Sequence, residues 1–296
     1  MAWVPLIPGA VAGLWKGYEE IVARPQRRAR QAQQRLRESQ ERERESEQRR
    51  IALLQELGYD TDQPAITKEL ILSAQDTVGY DKGKQNIVFA GNVNVGKSSL
   101  INAICNKGGN DEGAARVGSN QVTMGITRHE IPNHPEIVLY DIPGAGTQDV
   151  RAFQYYHDQM LYAFDTVVLV HDTTLTEADI RLLKMCILSD QKCLAVRTRS
   201  DDHIRNCEYD KECNNLEETR QIFLSEVRED IRRCQEQISA SWPEREVQFR
   251  DYVVSSRSMR SFMGQKASPK DAATAYIDEL DFAFALSPTL VVNVDN

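Results

Sequence analysis

Residues 87–98 read IVFAGNVNVGKS, a short apolar run followed by a loop that begins at Gly91 and ends at Ser98. The loop fits the pattern GxxxxGK[ST], and a helix-forming stretch, 99–103, comes directly after it. A strand, a glycine-containing loop and a helix in this order are the setting in which the pattern binds nucleotide phosphates. The stretch therefore predicts a P-loop domain, and a chance match is the less favoured interpretation.

The residue types of this loop suit phosphate chemistry. Successive backbone N–H groups and the helix N-terminus surround phosphate oxygens, and glycine permits the tight path of the loop. Lys97 is expected to reach the β- and γ-phosphates, and Ser98 is expected to offer its hydroxyl to Mg²⁺. We therefore predict a nucleotide as the ligand of this loop.

A second phosphate motif, Asp141-Ile142-Pro143-Gly144, follows the predicted strand Ile137–Tyr140 and lies 44 residues after Lys97. A carboxylate at the end of that strand can hold Mg²⁺ through water, and the N–H of Gly144 can meet the γ-phosphate. The predicted phosphate-binding residues are Gly91, Asn92, Asn94, Val95, Gly96, Lys97, Ser98, Ser99 and Gly144.

A third motif, Thr198-Arg199-Ser200-Asp201, resembles the [NT]KxD guanine-recognition motif, with arginine in the lysine position. The carboxylate of Asp201 can accept hydrogen bonds from both N1–H and the exocyclic amine of guanine, a pair that adenine does not offer. Ser255-Ser256 follows a predicted strand at the place where a backbone N–H meets guanine O6. We predict guanine contacts from Thr198, Arg199, Asp201, Ser255 and Ser256.

The stretch between the first two motifs contains several glycines and few apolar residues, which predicts a mobile switch segment. Its Mg²⁺-sensing threonine is either Thr123 or Thr127. Thr127 lies in Gly125-Ile126-Thr127-Arg128, which is similar to a switch of ribosome-associated GTPases, and Thr123 lies 18 residues before Asp141.

Two runs, Val122-Thr123-Met124 through Asp141-Ile142-Pro143-Gly144-Ala145-Gly146-Thr147 and Val196-Arg197-Thr198-Arg199-Ser200-Asp201, resemble the immunity-related GTPases of the interferon-inducible type. The resemblance covers roughly residues 85–260. It implies a Ras-like domain flanked by helices, Mg²⁺-dependent GTP hydrolysis, nucleotide-dependent self-association through that domain, and recruitment to intracellular membranes. It also selects Thr123 as the switch threonine. The implied catalytic residues are Lys97 and Thr123, and the implied metal ligands are Ser98, Thr123 and Asp141.

Apolar segments alternate with helical periodicity from residue 85 onward, which predicts an α/β fold: a Ras-like P-loop GTPase domain with a mainly parallel sheet and helices on both faces. The predicted strands are Ile87–Ala90, Ile137–Tyr140, Val167–Val170, Cys193–Val196 and Tyr252–Val254. The predicted helices of this region are Ser98–Cys105, Ala152–Ala163, Glu177–Leu188, Leu216–Ile238 and Pro269–Phe284.

An N-terminal helical extension precedes this domain. Composition divides the chain into an amphipathic helical segment (1–23), an Arg/Glu-rich helix (24–58), a short helix with a linker (59–84) and the guanine-nucleotide-binding domain (85–296). The apolar stripe Val11–Val22 fits a helix docked on the protein's own core, a peripheral membrane contact or a partner surface. The Arg/Glu-rich helix has no apolar seam, so a solvated spacer is favoured over an RNA- or lipid-binding arm.

Charge and composition restrict the function classes. The chain of 296 residues has 36 Lys and Arg against 44 Asp and Glu, a net charge of −8, so nucleic acid is not an expected partner. No apolar run reaches the length of a membrane span, and the six cysteines form no CxxC pair. The expected location is the cytoplasm, and peripheral attachment to intracellular membranes is a further expectation.

The expected chemistry is GTP hydrolysis that is slow without self-association or an activator. Ala145 follows Gly144 at the position where Ras-like proteins carry the glutamine that orients water, and an alanine cannot do this. Arg128, Glu112 and Glu130 are alternative catalytic groups. The competing functions are a nucleotide-gated binding module with negligible turnover and a ribosome- or RNA-associated GTPase.

Overall fold

The computed structural model describes residues 8–58, 66–116, 125–144, 152–210, 215–243, 247–264 and 276–292, with side chains from residue 30 to residue 291 of these ranges. The chain divides into two compact units, the first ending at Leu53 and the second beginning at Leu54. The three motifs of the predicted nucleotide site all belong to the second unit.

The first unit is formed by helix α1 as far as Leu53. This helix spans Pro8–Glu56 and has no break at residues 23 and 24, where the composition changes. Every side chain described from residue 30 to residue 52 is exposed, and Leu36 keeps 59% of its surface accessible. Arg49 lies 3.7 Å from Glu45, a pairing of the i, i+4 type that supports a solvated helix. None of the described helices combines the length and the apolar character that crossing a bilayer requires.

The second unit is built on a six-stranded sheet in the order β2-β3-β1-β4-β5-β6. Its strands are β1 (Gln85–Ala90), β2 (Thr127–Ile131), β3 (His134–Asp141), β4 (Thr166–His171), β5 (Lys192–Arg197) and β6 (Asp251–Val253). β2 is antiparallel to β3, and the other neighbouring pairs are parallel. The carboxyl ends of β1, β3, β4, β5 and β6 therefore meet at one edge.

Helices connect these strands. They are α2 (Lys68–Val78), α3 (Lys97–Ile104), α4 (Ala152–Asp158), a 3₁₀ turn (Leu161–Ala163), α5 (Glu177–Leu188), α6 (Ser200–Asp210), α7 (Leu216–Ser239), α8 (Ser256–Met263), α9 (Glu279–Leu286) and α10 (Thr289–Val292). Local sequence sets several boundaries. Thr176 and Asp179 form a capping box at the start of α5, and the hydroxyl of Thr67 accepts the N–H of Leu70 at the start of α2.

The core lies on both faces of the sheet, as the fully apolar strands require. Ile87 and Phe89 of β1 have no exposed surface, and Leu100 of α3 packs with them. Phe282 and Leu286 of α9 complete the same cluster. The predicted Ras-like P-loop α/β fold is confirmed, and each predicted strand lies within two or three residues of an observed one.

Other elements differ from the prediction. β2, α6 and α8 were not predicted, because their sequences are mostly polar and carry no long apolar period. The helix predicted over Ala152–Ala163 is interrupted, since Met160 adopts a left-handed conformation with φ of 51°. The helix predicted over Pro269–Phe284 begins at Glu279 and continues to Leu286, and residues 265–275 lie outside the described residues.

Candidate functional site

The loop between β1 and α3 takes a path that glycine alone fits at its first position. Gly91 has a φ of 134°, and a Cβ there would lie 2.1 Å from the carbonyl oxygen of Val170 on β4. Gly96, with a φ of 96°, ends the loop and begins α3, so the helix N-terminus opens toward the loop. The backbone geometry therefore forms a concave surface of the kind that binds phosphate.

Lys97 is the first residue of α3 and folds back over this loop. Its Nζ donates to the carbonyl oxygens of Asn92 at 2.7 Å and Gly91 at 3.2 Å, and the residue is 6% exposed. Burial lowers the pKa of Lys97 to about 8, and the nearby carboxylate of Asp141 acts in the opposite direction. The ammonium group is thus held at the loop at a desolvation cost that a bound anion would offset.

Ser98 and Asp141 bring the two phosphate motifs together. Asp141 ends β3 beside Phe89 of β1 and has no exposed surface. The hydroxyl of Ser98 donates to Oδ2 of Asp141 at 2.6 Å. A hydroxyl oxygen and a carboxylate oxygen are hard ligands of the type that Mg²⁺ prefers, so the residues present fit this ion.

Gly144 places the second motif directly against the loop. A Cβ at Gly144 would lie 2.7 Å from the backbone nitrogen of Val93, so the two backbones approach more closely than any side chain would allow. The contact of the Gly144 N–H with a γ-phosphate stays a prediction, and the structure places Gly144 beside the loop where that contact would form.

Tyr155 of α4 is a site residue that the sequence did not reveal. Its buried hydroxyl accepts from the N–H of Gly91 at 3.5 Å and donates to the carbonyl oxygen of Pro143 at 3.1 Å. Burial raises the pKa of Tyr155, so the phenol stays protonated and both bonds persist. One side chain thus joins the two phosphate motifs. A tyrosine in an amphipathic helix gives no signal that distinguishes this role from packing.

The third motif is tied to the phosphate loop by Thr198. Its backbone N–H donates to the carbonyl oxygen of His171 at 2.8 Å, and its Oγ1 donates to that of Val95 at 2.6 Å. Thr198 is almost fully buried. The predicted base site and the predicted phosphate site therefore share one framework.

Arg199 makes a second tie. Its backbone has a φ of 56°, and its guanidinium donates to the carbonyl oxygen of Asn94. The same guanidinium lies 3.2 Å from the carboxylate of Asp172. The arginine thus lies across the base motif and contacts the phosphate loop, while its aliphatic stem is available to cover a base.

Asp201 stands in the first turn of α6, half-buried, and its carboxylate makes no hydrogen bond within the described residues. Its neighbour Asp202 pairs with Arg205 at 3.4 Å. The N–H of Ser200 donates to the carbonyl oxygen of Val254 at 3.2 Å, which brings the end of β6 next to this turn. Asp201 therefore has the access and the free acceptor oxygens that base recognition requires.

Ser255 has a structural role of its own. It is fully buried, and its Oγ accepts the N–H of Ser258 as the N-cap of α8. Its own N–H donates to Oε1 of Glu279 at 3.1 Å. Ser256 is the first residue of α8, where an N–H has no acceptor within its helix, so Ser256 offers the open backbone donor of this pair.

Glu279 is a second residue that the sequence did not single out. Its carboxylate has no exposed surface and accepts the N–H groups of Ser255 at 3.1 Å and Ile277 at 2.6 Å. Burial raises the pKa of Glu279 to about 7, although these backbone hydrogen bonds lower it and the nearby Asp278 raises it further. Glu279 fixes the loop that the sequence assigns to guanine O6.

We expect Glu279→Gln to change how stability depends on pH. A carboxyl whose pKa is raised on folding contributes stability that is fully present below the unfolded pKa of 4.5 and lost as the pH rises through about 7. Wild type should therefore gain stability relative to the variant on acidification from pH 8 to pH 5, by at most about 1.4 kcal/mol per pH unit. Urea unfolding of both proteins across this range measures the difference. A difference in unfolding free energy between the two proteins that does not change with pH would contradict a raised pKa of Glu279.

A buried ionic network supports the base end of the site. Nε2 of His171 lies 2.8 Å from Oδ1 of Asp251, and Nδ1 lies 2.7 Å from the carbonyl oxygen of Thr173. Both ring nitrogens face acceptors, an arrangement that favours the protonated imidazole. Burial lowers the pKa of His171, but the charge and hydrogen bond of Asp251 outweigh it and raise the pKa overall. Arg197 pairs with the other oxygen of Asp251 at 3.4 Å.

The remaining predicted residues are either outside the described ranges or on the surface of β2 and its neighbourhood. Thr123 and Ala145 lie outside the described residues. Thr127 is an exposed residue of β2, and its hydroxyl lies 3.1 Å from Nε2 of His129. The guanidinium of Arg128 lies 3.2 Å from Asp81 and 3.1 Å from Glu130, so this surface ion cluster contains two of the three side chains that the sequence offered as alternative catalytic groups. Glu112 is exposed.

The sheet order, the glycine loop and the lysine that folds over it define a Ras-like P-loop α/β domain. The chain belongs to the interferon-inducible GTPase family, because that family's sequence model matches residues 66–243, more than half of the chain. The family resemblance predicted from the motifs is confirmed.

Individual relatives are similar over part of their length. Interferon-inducible GTPase 1 of Mus musculus is 31% identical over 126 residues, which are 43% of this chain and 30% of the relative. Interferon-inducible GTPase 5 of Rattus norvegicus is 30% identical over 145 residues, 49% of this chain and 30% of the relative. The matched chain thus spans less than a third of these relatives. A solved structure, the bacterial dynamin GTPase LeoA from ETEC, aligns with 16% identity and a TM-score of 0.43 over 83% of this chain and 42% of that one.

Proposed function

We propose that this chain binds GTP and hydrolyses it to GDP and phosphate with Mg²⁺. The observation that carries the proposal is the meeting of three motifs at one sheet edge. Lys97 covers the phosphate loop, Ser98 is bonded to Asp141, and Thr198 ties the base motif to Val95 of the same loop. Membership in a GTPase family supports the same activity.

The roles of the residues follow from their positions. The ammonium of Lys97 would exchange its carbonyl partners for the β- and γ-phosphate oxygens and would stabilise the charge that develops there. Ser98 and Asp141, with Thr123 as predicted, would hold Mg²⁺, which supplies charge neutralisation of the phosphate oxygens when it is bound. Asp201 would accept the two donors of the guanine edge, with Ser256 as the backbone donor to O6.

The attacking water needs a group to orient it, and Ala145 cannot supply one. We infer that hydrolysis by a single molecule is slow and that a second copy, docking through this domain, raises the rate as part of a nucleotide-dependent assembly. The surface pairing of Arg128 and Glu130 supports this inference, because it removes two side chains that the sequence offered as internal alternatives.

Single-turnover hydrolysis of GTP at several protein concentrations tests activity and assembly together. A rate per molecule that increases with protein concentration supports an assembling GTPase. A slow rate independent of concentration contradicts assembly but retains GTP hydrolysis. Tight binding without detectable hydrolysis would instead support the nucleotide-gated binding module, for which Ala145 is the favouring observation.

A membrane role for the N-terminus is a separate proposal with its own prediction. Deleting residues 1–23 should leave GTP affinity unchanged within about twofold, because the nucleotide motifs belong to the unit that begins at Leu54. It should reduce binding to liposomes, since it removes the apolar stripe Val11–Val22. Titration with fluorescent nucleotide and liposome co-sedimentation measure the two properties.

Two full-length variants serve as a matched pair for this prediction. Trp15→Asp interrupts the stripe, whereas Leu36→Asp changes an exposed apolar residue outside it. Equal sedimentation of both variants and wild type would contradict membrane contact. Loss of the folded state on deletion would favour the helix docked on the core.

A further inference from the structure

Tyr155 of α4 is bonded to the peptide unit that carries the N–H of Gly144. Its hydroxyl donates to the carbonyl oxygen of Pro143 at 3.1 Å, and that carbonyl belongs to the same peptide bond as the Gly144 N–H. We propose that Tyr155 is a positioning residue that raises the affinity for GTP relative to GDP, because it aims this N–H at the γ-phosphate. The inference rests on the function proposed above, since it takes a guanine nucleotide as the ligand of the site.

The geometry of the peptide bond makes the direction of one group decide the direction of the other. None of the described peptide bonds is cis, and in a planar trans peptide the C=O and the N–H point in opposite directions. Since the Pro143 oxygen is turned toward Tyr155, the N–H of Gly144 points away from it. Gly144 lies against the phosphate loop, because a Cβ there would be 2.7 Å from the backbone nitrogen of Val93. One side chain therefore fixes the direction of a donor that stands next to the loop.

The surroundings of the Tyr155 hydroxyl keep it in place. Tyr155 is 5% exposed, and the same hydroxyl accepts the N–H of Gly91 at 3.5 Å. Burial raises the pKa of Tyr155, so the phenol keeps the proton that it donates to Pro143. The hydroxyl thus joins the peptide of the second motif to the first residue of the loop.

The helix that carries this tyrosine is anchored on both sides of it. The N–H of Phe153 donates to the carbonyl oxygen of Leu57 at 3.2 Å. The hydroxyl of Tyr156 donates to Oε1 of Gln191 at 2.5 Å, at the turn between α5 and β5. Both Phe153 and Tyr156 are buried. α4 therefore holds the hydroxyl of Tyr155 at a fixed place relative to the sheet.

GTP and GDP differ in the one phosphate that the Gly144 N–H would meet. GDP has no γ-phosphate, so its affinity does not depend on the direction of this N–H. GTP gains more from a donor that is already oriented than from one that must be ordered on binding. The long contact between the hydroxyl and the Gly91 N–H does not depend on the number of phosphates, so its loss changes both affinities alike.

Tyr155→Phe tests the proposal, because it removes the hydroxyl and keeps the ring. The affinities to be measured are those for GDP and for the β,γ-imido analogue of GTP, which resists hydrolysis. The affinity for the analogue should fall roughly 3- to 10-fold, the range of one neutral hydrogen bond, and the affinity for GDP should stay within about twofold. The ratio of the two affinities is the decisive quantity, since a loss of stability alone lowers both.

Tyr156→Phe is the matched control. It removes the neighbouring buried hydroxyl of the same helix, whose partner is Gln191 and not a nucleotide motif, so the ratio should remain that of wild type. An unchanged ratio in Tyr155→Phe, or the same selective loss in Tyr156→Phe, would overturn the role of Tyr155 and leave GTP binding intact. Wild type that binds neither nucleotide would overturn the proposed function as well.

A measurement on wild type alone keeps the proposal testable if Tyr155→Phe does not fold. The sequence contains two Pro–Gly pairs, Pro8-Gly9 and Pro143-Gly144. Protein labelled with ¹³C at the proline carbonyls and ¹⁵N at glycine therefore gives two carbonyl–amide cross-peaks by NMR. The cross-peak of Pro143-Gly144 should shift when the imido analogue replaces GDP, because the N–H gains an acceptor. Two cross-peaks that do not move would overturn the inference.

Discussion

Lys97→Ala will bind GTP and GDP roughly 100-fold more weakly than wild type, or worse, a loss of at least about 2.7 kcal/mol. The substitution removes the ammonium group held over the loop by the carbonyl oxygens of Gly91 and Asn92. The rest of the phosphate surface consists of backbone dipoles and the N-terminus of α3, which carry no full charge. Titration with fluorescent GTP and GDP measures both affinities.

Lys68→Ala is the matched control. Lys68 is also a lysine at the first position of a helix, but it is exposed and α2 follows no glycine loop. It should bind nucleotide as wild type does. Circular dichroism of both variants separates loss of binding from loss of fold, and near-wild-type affinity in a folded Lys97→Ala protein would remove residues 91–98 as the phosphate site.

Asp201→Asn will weaken GTP binding and strengthen XTP binding. The asparagine presents an NH₂ donor to a donor of the guanine edge, and such a mismatch costs about 1–3 kcal/mol, or roughly 5- to 150-fold in affinity. Xanthine carries a carbonyl where guanine carries its amine, so the variant can pair with it. Competition titrations with GTP, XTP and ATP give the preference of each protein, and wild type should prefer GTP strongly to ATP.

Asp202→Asn gives the same chemical change one residue further along α6. Its carboxylate is paired with Arg205 on the surface, so base preference should not change. Equal binding of ATP and GTP by wild type, or an unchanged preference in Asp201→Asn, would mean that residues 198–201 do not read the base.

The sequence predicted the fold class, the family and the loop, because each depends on short patterns. Glycine at positions 91 and 96 indicates a loop whose backbone has positive φ, and the apolar runs indicate strands that are buried on both faces of the sheet. β2 was not predicted because apolar and polar residues do not alternate along Thr127–Ile131. This strand is stabilised by its pairing with β3. Pairing is a tertiary property that a local pattern does not contain.

The residues that support the site, Tyr155 and Glu279, were not predicted for a related reason. Tyr155 and Glu279 act through contacts 64 and 24 residues away in sequence, with Gly91 and Ser255. No residue type or spacing in the sequence predicts such a contact. Glutamate is usually exposed, so a buried glutamate in a short helix is not expected from sequence. The sequence could point to Asp201 and Ser98 because the motifs that contain them are defined by the chemistry of an expected ligand and not by a contact within the fold.

The family match ends at residue 243, yet the folding unit does not. β6 extends the sheet beyond that residue, and Met259 of α8 together with Phe282 and Leu286 of α9 fills the core under α3. A fragment cut where the shared sequence stops would therefore leave β5 as the edge strand of the sheet and would uncover an apolar face of the core. In this protein the stretch that carries the family's sequence pattern is shorter than the stretch that packs around one apolar core.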